Sequence, residues 1–226
     1  MKKLQHVAFL LKGHKEWSKG RYSAHDLYAK VFAHTKDILH WQVKFHIPIV
    51  TINLLSDQVL EHESFGDIVL ALADYCDSLL RDEFVFSQKV KISIFGKWYD
   101  LPSKVVERVK QVIDETKDFD QYFFNICIHY NCKQELVDAA KIVALKVLSG
   151  RLTMNSINED TIKDTIYSSS FLPPDIIIKT GNTHRLYGFM MWDATHAHIH
   201  FSHKPWLGFT EKDLQKAIAE WEKVTR

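Results

Sequence analysis

The stretch Asp175–Asp193 decides the fold class, and it reads Asp-Ile-Ile-Ile-Lys-Thr-Gly-Asn-Thr-His-Arg-Leu-Tyr-Gly-Phe-Met-Met-Trp-Asp. Its consecutive isoleucines predict a strand over Asp175–Lys179 that is buried on both faces of a parallel sheet. The polar, glycine-containing segment that follows predicts a loop at the carboxyl end of this strand. The stretch therefore indicates an α/β protein that carries basic residues at a strand end.

Five other segments are rich in β-branched and aromatic residues, which is typical of strands. They are His6–Leu11, Ile49–Leu55, Val90–Phe95, Tyr122–His129 and His198–Phe201. Apolar residues at helical spacing occupy the stretches between them and predict helices. We expect helices over Ala24–His46, from about Phe65 to an end within a few residues of Arg81–Glu83, after Pro102-Ser103, up to Ser149-Gly150 and over Thr210–Thr225, the last opened by a capping box at Thr210–Asp213.

The order of these elements predicts one domain over residues 1–226. It is an α/β domain with a central, mostly parallel six-stranded sheet and helices on both faces. The composition fits such a domain, since 46% of the residues are hydrophobic and 25% are charged. A net charge of +1 gives no bulk reason to expect a nucleic acid as the partner.

The amino-terminal segment and the cysteines indicate a soluble, cytoplasmic protein. No segment approaches the roughly 18 apolar residues of a membrane span. The first segment holds only five apolar residues before Lys12 and is followed by no cleavage site, so we interpret it as a buried strand and not as a signal peptide. Cys76, Cys127 and Cys132 lack a paired framework and are expected to be reduced, with Cys127 packed in the core.

Ligands of parallel sheets bind beyond the carboxyl ends of the strands, so four loops are candidates for the functional site. They are Lys12–Lys19, Ser56–Glu63, Tyr130–Lys133 and Thr180–Arg185. In the first of these, Gly13 and basic residues lie between a strand and a helix, an arrangement that binds phosphate. An ordinary basic surface loop is the competing interpretation, because the loop is not a Walker motif.

Two further patterns carry candidate ligands. Lys179 and Arg185 could bind a diphosphate from the side opposite the first loop, or they could be solvated cations of a turn. On a strand, His196, His198 and His200 would share one face and could bind a transition metal. The alternative is that these imidazoles are spread over a helix-to-strand junction, since no acidic residue follows to orient them. A nucleophile elbow, Gly-x-Ser-x-Gly, does not occur.

Taken in order, these segments resemble the cis-prenyltransferase family of undecaprenyl diphosphate synthase over nearly the whole chain. The family's opening motif, His-Val-Ala, three hydrophobes and Asp-Gly-Asn-Gly-Arg-Trp, is similar to His6–Trp17. Its central Asn-x-Ala-x-x-Tyr-Gly-Gly-Arg motif resembles the segment that begins with Asn125–Tyr130. Its closing signature, Asp-Leu-x-Ile-Arg-Thr-Gly-Gly-Glu-x-Arg-x-Ser-Asn-Phe-Leu-Leu-Trp-Gln, is similar to Asp175–Asp193.

The resemblance implies a transferase that condenses an allylic prenyl diphosphate with isopentenyl diphosphate on a dimeric, parallel-sheet scaffold, using Mg²⁺. The first loop would face the allylic diphosphate, and the second basic group would bind the other one. A hydrophobic tunnel for the prenyl chain would be lined from the region around Leu70–Leu80. The diphosphate-binding positions that this implies are Gly13, Arg21, His25, Lys179 and Arg185.

Several positions depart from the family pattern. Lys12 replaces an aspartate that engages the metal, and His198 replaces a glutamate that completes the metal site. Because both carboxylates are missing, no cofactor is assigned and Mg²⁺ is left open. Lys12 would supply positive charge directly, so Lys12 and His25 are the predicted catalytic residues. The other departures are Glu16 for an arginine, Val59 for an asparagine, and Tyr187-Gly188 for Ser-Asn.

Three hypotheses follow. The chain is a prenyl diphosphate transferase with an altered metal site, a catalytically inactive subunit that pairs with an active cis-prenyltransferase, or a prenyl-lipid-binding or terpene-processing protein. The partners expected are prenyl diphosphate, isopentenyl diphosphate and a second subunit, in a homodimer or a heterodimer, with membrane contact through a lipid product. The length of the prenyl chain depends on the depth of the tunnel and does not follow from the sequence.

Overall fold

The amino-terminal segment forms a strand inside the sheet. A computed structural model of the chain describes residues 3–225, so Met1, Lys2 and Arg226 of the predicted domain lie outside the described residues. Strand β1 (His6–Leu10) has five buried residues and neighbours on both sides. The interpretation of this segment as a buried first strand is confirmed.

The sheet has six strands, and every neighbouring pair is parallel. The other strands are β2 (Ile49–Ser56), β3 (Val90–Phe95), β4 (Tyr122–Tyr130), β5 (Ile176–Lys179) and β6 (His198–Phe201). Their order is β3-β4-β2-β1-β5-β6. The chain therefore turns to one side of β1 for β2 and to the other side for β5. A crevice beside the carboxyl ends of the strands is expected where the order reverses in this way.

Helices cover both faces of the sheet. They are α1 (His14–Ser18), α2 (Ala24–Lys44), α3 (Phe65–Leu80), α4 (Glu83–Ser87), α5 (Ser103–Thr116), α6 (Cys132–Leu148), α7 (Glu159–Lys163) and α8 (Glu211–Val224). Alternate residues of β1 point to opposite sides. Val7 and Phe9 pack in the larger core with α2, α3, α5 and α8, whereas Ala8 and Leu10 pack in a smaller core beside α6.

Local sequence signals explain where the helices begin and end. The helix predicted from about Phe65 ends at Leu80, within a few residues of the expected end, because the carboxylate of Asp82 accepts a hydrogen bond from Phe84 N (3.1 Å) and begins a separate helix. A capping box begins α8, since Asp213 accepts a hydrogen bond from Thr210 N at 2.8 Å. Among residues 3–225, none of the helices combines the length and the apolar character needed to cross a membrane.

The region around Leu70–Leu80 does not line the strand-end cavity described below, so the tunnel expected there stays a prediction. Leu72, Tyr75 and Leu79 are buried in the larger core, where α3 packs between α2 and α5. Leu70 lies on the outer surface with 52% of its area exposed. The buried apolar side chains of α3 therefore serve helix packing against α2 and α5.

Candidate functional site

A cavity of about 620 Å³ lies at the carboxyl ends of β1, β2 and β5. Three of the four predicted loops line it, and the fourth, Tyr130–Lys133, lies beside a smaller cavity of about 330 Å³. The larger cavity is lined by the basic side chains Lys12, Lys15, Lys19, Arg21 and Lys179. Its apolar wall includes Leu10, Leu11, Leu54, Leu55 and Val59. The cavity is therefore cationic on one side and apolar on another.

Lys179 supplies a buried ammonium group to this cavity. The residue is 0% exposed, and its Nζ donates a hydrogen bond to Gly181 O at 3.0 Å. Within the described chain, no carboxylate lies within ion-pair distance of it. Burial lowers the pKa of Lys179, and the positive charge of Lys12 lowers it further, while Glu16 opposes the shift. Two lysines thus direct positive charge at one region, which Glu16 offsets only in part, and this favours an anionic ligand.

The backbone holds the ends of β1 and β5 together. Thr180 Oγ1 accepts a hydrogen bond from Lys12 N (2.9 Å) and donates one to Lys12 O (3.1 Å). Gly13 and Gly181 adopt φ angles of +86° and +79° and pack backbone against backbone. Lys12 Nζ lies 5.0 Å from the centre of the Tyr187 ring, within the range of a cation–π contact. Lys12 is therefore directed to the cavity by a rigid pair of loops.

His14 is a cavity residue that the sequence analysis missed. Its ring packs edge-on against Tyr28, with centroids 5.3 Å apart, and its Nδ1 is buried without a hydrogen-bond partner among the described residues. Burial lowers the pKa of His14 to about 4, and the charge of Lys12 contributes. The imidazole is therefore neutral at pH 7. The signal available in the sequence was its place immediately after the strand-end Gly13.

Arg21 lies at the rim of the cavity. Its Nε donates to Ser18 O and its Nη2 donates to Trp17 O, both at 3.1 Å. The guanidinium also lies 5.7 Å from the Trp17 ring centre. Arg21 therefore caps the carboxyl end of α1 as well as adding charge at the rim.

Two predicted residues do not line the cavity. His25 Nε2 lies 3.2 Å from Asp74 Oδ2, because His25 is in the first turn of α2 and faces α3. Arg185 is exposed, in a loop whose neighbouring residues Thr183 and Tyr187 form the wall instead. The structure therefore gives no support to the catalytic role predicted for His25, and the binding roles of His25 and Arg185 stay predictions.

The histidine cluster does not form a metal site. His198 begins β6 opposite Ile176, at the amino end of the strand, whereas the cavity lies at the carboxyl ends. His196 lies in a turn before the strand, and His200 Nδ1 lies 2.7 Å from Glu220 Oε2. No group of three or more potential metal ligands occurs within residues 3–225. The structure therefore gives no support to the metal-binding interpretation of these histidines.

The cavity does not fit a magnesium ion held by the protein. Mg²⁺ requires oxygen ligands, usually carboxylates. Glu16 is the single carboxylate among the described lining residues, and it lies among five cationic side chains. Lys12 and His198, which the resemblance implied at metal-site positions, offer no anionic oxygen and lie at opposite ends of the strands. The charge that this cavity offers an anion comes from lysine.

Buried histidines predict a pH-dependent stability. Burial lowers the pKa of His6 and of His14 from 6.5 to about 4. Between these pH values the unfolded chain binds more protons than the folded one, so we expect the free energy of unfolding to decrease as the pH falls from 6.5 to 4. The expected loss is at most about 3 kcal/mol per histidine. Urea unfolding at pH 7 and pH 4.5 measures this decrease in the free energy of unfolding. The variant His14→Phe is expected to show a smaller decrease. Equal stability of the wild-type chain at both pH values would contradict the prediction.

The fold and the site together define a class of protein. A parallel sheet whose strand ends present lysines beside an apolar wall is suited to a ligand with an anionic head and a hydrocarbon tail. The chain belongs to the prenyltransferase family, since residues 10–226 match the family model described as "Putative undecaprenyl diphosphate synthase". The resemblance to cis-prenyltransferases is confirmed.

Individual relatives agree with this assignment. An isoprenyl transferase from Thermotoga maritima is 28% identical over 98% of this chain and 95% of that protein. A tritrans,polycis-undecaprenyl-diphosphate synthase (geranylgeranyl-diphosphate specific) from Thermoplasma volcanium is 27% identical over 84% of this chain and 75% of that protein. The crystal structure of lavandulyl diphosphate synthase from Lavandula x intermedia, in complex with dimethylallyl diphosphate, shares the fold with a TM-score of 0.90 and 24% identity, covering 96% of this chain and 94% of that chain.

Proposed function

We propose that this chain binds an allylic prenyl diphosphate in the strand-end cavity and transfers its prenyl group, with lysine charges in place of a carboxylate-bound metal. The observation that carries the proposal is the pair of ammonium groups, Lys12 and Lys179, in one cavity with an apolar wall. The family membership supplies the reaction class. Isopentenyl diphosphate is the proposed acceptor.

The diphosphate would lie between the two lysines. Each charge-assisted hydrogen bond from a lysine to a phosphate oxygen contributes about 1.5–3 kcal/mol in a partly buried site. Lys179 is held in place before the ligand arrives, because its side chain is buried and its Nζ is already oriented by Gly181 O. A charge that is positioned in advance loses little entropy on binding. The apolar wall, including Leu54, Leu55 and Val59, would contact the tail.

The same residues can assist the transfer. When the carbon–oxygen bond of the allylic diphosphate breaks, negative charge develops on the leaving group, and Lys12 and Lys179 would stabilise it. The allylic carbon then bonds to the alkene of isopentenyl diphosphate, and the resulting cation loses a proton to form the new double bond. His14 is available to accept that proton, since its ring is neutral and its Nδ1 is unpartnered among the described residues.

The test compares binding with and without magnesium. We expect the wild-type chain to bind inorganic pyrophosphate with the same affinity, within about twofold, in Mg²⁺ and in EDTA. Lys12→Asp should bind weakly in EDTA and regain at least about tenfold in Mg²⁺, because a carboxylate can hold the metal against the diphosphate. Titration calorimetry measures both, and turnover of an allylic diphosphate with isopentenyl diphosphate measures the transfer.

Lys12→Asn is the matched control, because it removes the same charge without adding a carboxylate and should not respond to Mg²⁺. If the wild-type chain gives no heat with pyrophosphate or with any prenyl diphosphate, the proposal is wrong. Strict dependence of wild-type binding on Mg²⁺ would also contradict it.

An exposed apolar face on α6 supports a partner subunit, and with it the alternative of an inactive subunit in a mixed dimer. Four large side chains on this helix are between 41% and 84% exposed: Val137, Ile142, Leu145 and Leu148. We propose that a second copy of this chain covers this face. A mass in solution of twice that of the chain supports the homodimer. A chain that is monomeric alone, and that associates with an active relative and raises the relative's activity, supports the alternative.

The compartment stays a proposal as well. Cys76, Cys127 and Cys132 are free and buried, which supports a reducing environment such as the cytoplasm.

A further inference from the structure

The ammonium group of Lys12 is oriented by an aromatic ring. Lys12 Nζ lies 5.0 Å from the centre of the Tyr187 ring, and both residues line the strand-end cavity. In the part of the chain that the structure describes, the hydrogen bonds of Lys12 are made by its backbone atoms, with Thr180 Oγ1 and Trp206 N, and no carboxylate forms an ion pair with its ammonium. The direction of this charge therefore depends on Tyr187.

The Tyr187 ring is held at both of its ends. On the backbone side, the next residues but one, Phe189 and Met190, are buried in the smaller core and fix the loop to the sheet. At the far end of the ring, Tyr187 Oη donates a hydrogen bond to Thr183 Oγ1 at 3.2 Å, and Thr183 also lines the cavity. The ring is therefore placed beside Lys12 before any ligand binds.

Tyr187 adopts a costly backbone conformation that burial does not explain. Its φ is +51°, in the left-handed region that strains a residue with a Cβ. The side chain is 56% exposed, so the strain is not offset by packing of the ring in a core. Backbone strain that persists in a residue beside a cavity is typical of a functional position. The contact with Lys12 is the feature of this residue that a function would use.

An aromatic ring orients a cation without cancelling its charge. The negative face of the ring attracts an ammonium within about 6 Å of its centre. A carboxylate in the same place would add a full negative charge, which an anionic ligand would have to displace. The ring instead takes the place of water on one side of the ammonium and leaves N–H donors free on the other side. Because charges attract more strongly where water is excluded, the ring should strengthen the attraction between Lys12 and a bound anion.

We propose that Tyr187 is a positioning residue of the diphosphate site, whose ring directs the Lys12 ammonium into the cavity and shields one side of that charge from water. The inference rests on the proposed function, because it assigns a further residue to the same site. Lys12 and Tyr187 are two of the residues by which this chain departs from the pattern that the resemblance implies, and the fold brings them into contact. The two departures therefore act as one unit.

A double-mutant cycle tests the coupling between the ring and the ammonium. Titration calorimetry with inorganic pyrophosphate in EDTA is carried out on the wild type, Tyr187→Leu, Lys12→Met and the double variant. We expect Tyr187→Leu to lower the affinity about fivefold, the effect of one half-exposed cation–π contact. In the Lys12→Met background the same change should alter the affinity by less than about twofold, because the ring has lost the cation it orients. Tyr187→Phe keeps the ring and should restore affinity to within about twofold of the wild type.

A second series varies the ring electronically at nearly constant shape. Phenylalanine analogues with one, two or three ring fluorines at position 187 should bind pyrophosphate progressively more weakly, because fluorine withdraws electron density from the ring face. Tyr99→Leu is the matched control, since Tyr99 is 55% exposed but does not line the cavity, and its affinity should not change.

Two results would overturn the inference while leaving the proposed function intact. One is an equal loss from Tyr187→Leu with and without Lys12, since the ring would then act on the fold and not on the ammonium. The other is an affinity that does not depend on the number of fluorines. Absence of pyrophosphate binding by the wild-type chain would instead refute the proposed function, and this inference with it.

Discussion

Replacement of Lys179 by methionine is expected to lower the affinity for inorganic pyrophosphate about 100-fold, the equivalent of one charge-assisted hydrogen bond of about 3 kcal/mol. The same change should raise the free energy of unfolding by about 1 kcal/mol, because it removes a buried ammonium that no carboxylate compensates within the described chain. Lys179 is 0% exposed, and burial already disfavours its charged form by lowering the pKa. Calorimetric titration and urea unfolding measure the two effects.

Lys163→Met is an informative control. Lys163 Nζ forms an ion pair with Asp193 Oδ1 at 2.8 Å, and the carboxylate side chain is 3% exposed. Removal of the Lys163 ammonium leaves the Asp193 carboxylate buried without an ion-pair partner, with only the Ser168 hydroxyl, among the described residues, donating to it, so we expect a loss of about 3 kcal/mol in stability. Pyrophosphate affinity should not change, because Lys163 lies outside the cavity wall. If Lys179→Met binds pyrophosphate as tightly as the wild type, the anion is bound elsewhere.

Replacement of Gly13 by alanine is expected to destabilise the fold by about 3 kcal/mol and to weaken pyrophosphate binding by at least about tenfold. Gly13 has a φ of +86°, which strains any residue with a Cβ, and an added Cβ would lie 2.9 Å from Pro205 Cα. The backbone would have to move to relieve that contact, and Lys12 would move with it. Thermal unfolding and calorimetry of the variant measure both losses.

Gly20→Ala separates the backbone strain from the clash. Gly20 also has a positive φ, +72°, but an added Cβ there meets no atom within 4 Å. We expect this variant to lose only about 1 kcal/mol, the cost of the left-handed conformation, and to keep its affinity. Equal losses in the two variants would show that the close approach of Gly13 to Pro205 is unimportant.

The elements of the fold could be predicted because their signals are local. The isoleucines before Lys179 identify a strand buried on both faces, and the capping pair at Thr210 identifies the start of α8. The end of the helix after Phe65 was predicted only to within a few residues, because Asp82 can end one helix and begin the next without a change in apolar spacing. The predicted strand ends also located the cavity, because parallel strands bring their carboxyl ends to one edge.

The roles of side chains at the site were harder to predict, since they depend on contacts made across the fold. His25 is close in sequence to the first loop, but Asp74 of α3 binds it away from the cavity. His198, which the resemblance implied near the metal site, lies at the amino end of β6, away from the cavity. His14 went unnoticed because its buried, unpartnered nitrogen becomes apparent only when Tyr28 packs against the ring. Spacing along the chain carries no information on such contacts.

A lysine ammonium and a bound metal ion both attract an anion, but different conditions weaken that attraction in the two cases. Lys179 cannot be withdrawn by a chelator or by a fall in free divalent cations, because it is part of β5. Its attraction for an anion is instead weakened by competing sulfate or phosphate and, at the open side of the cavity, by ionic screening, whose range shrinks to about 8 Å at physiological salt. Under the proposed function, occupancy in the cell would therefore follow the level of competing oxyanions and not the supply of magnesium.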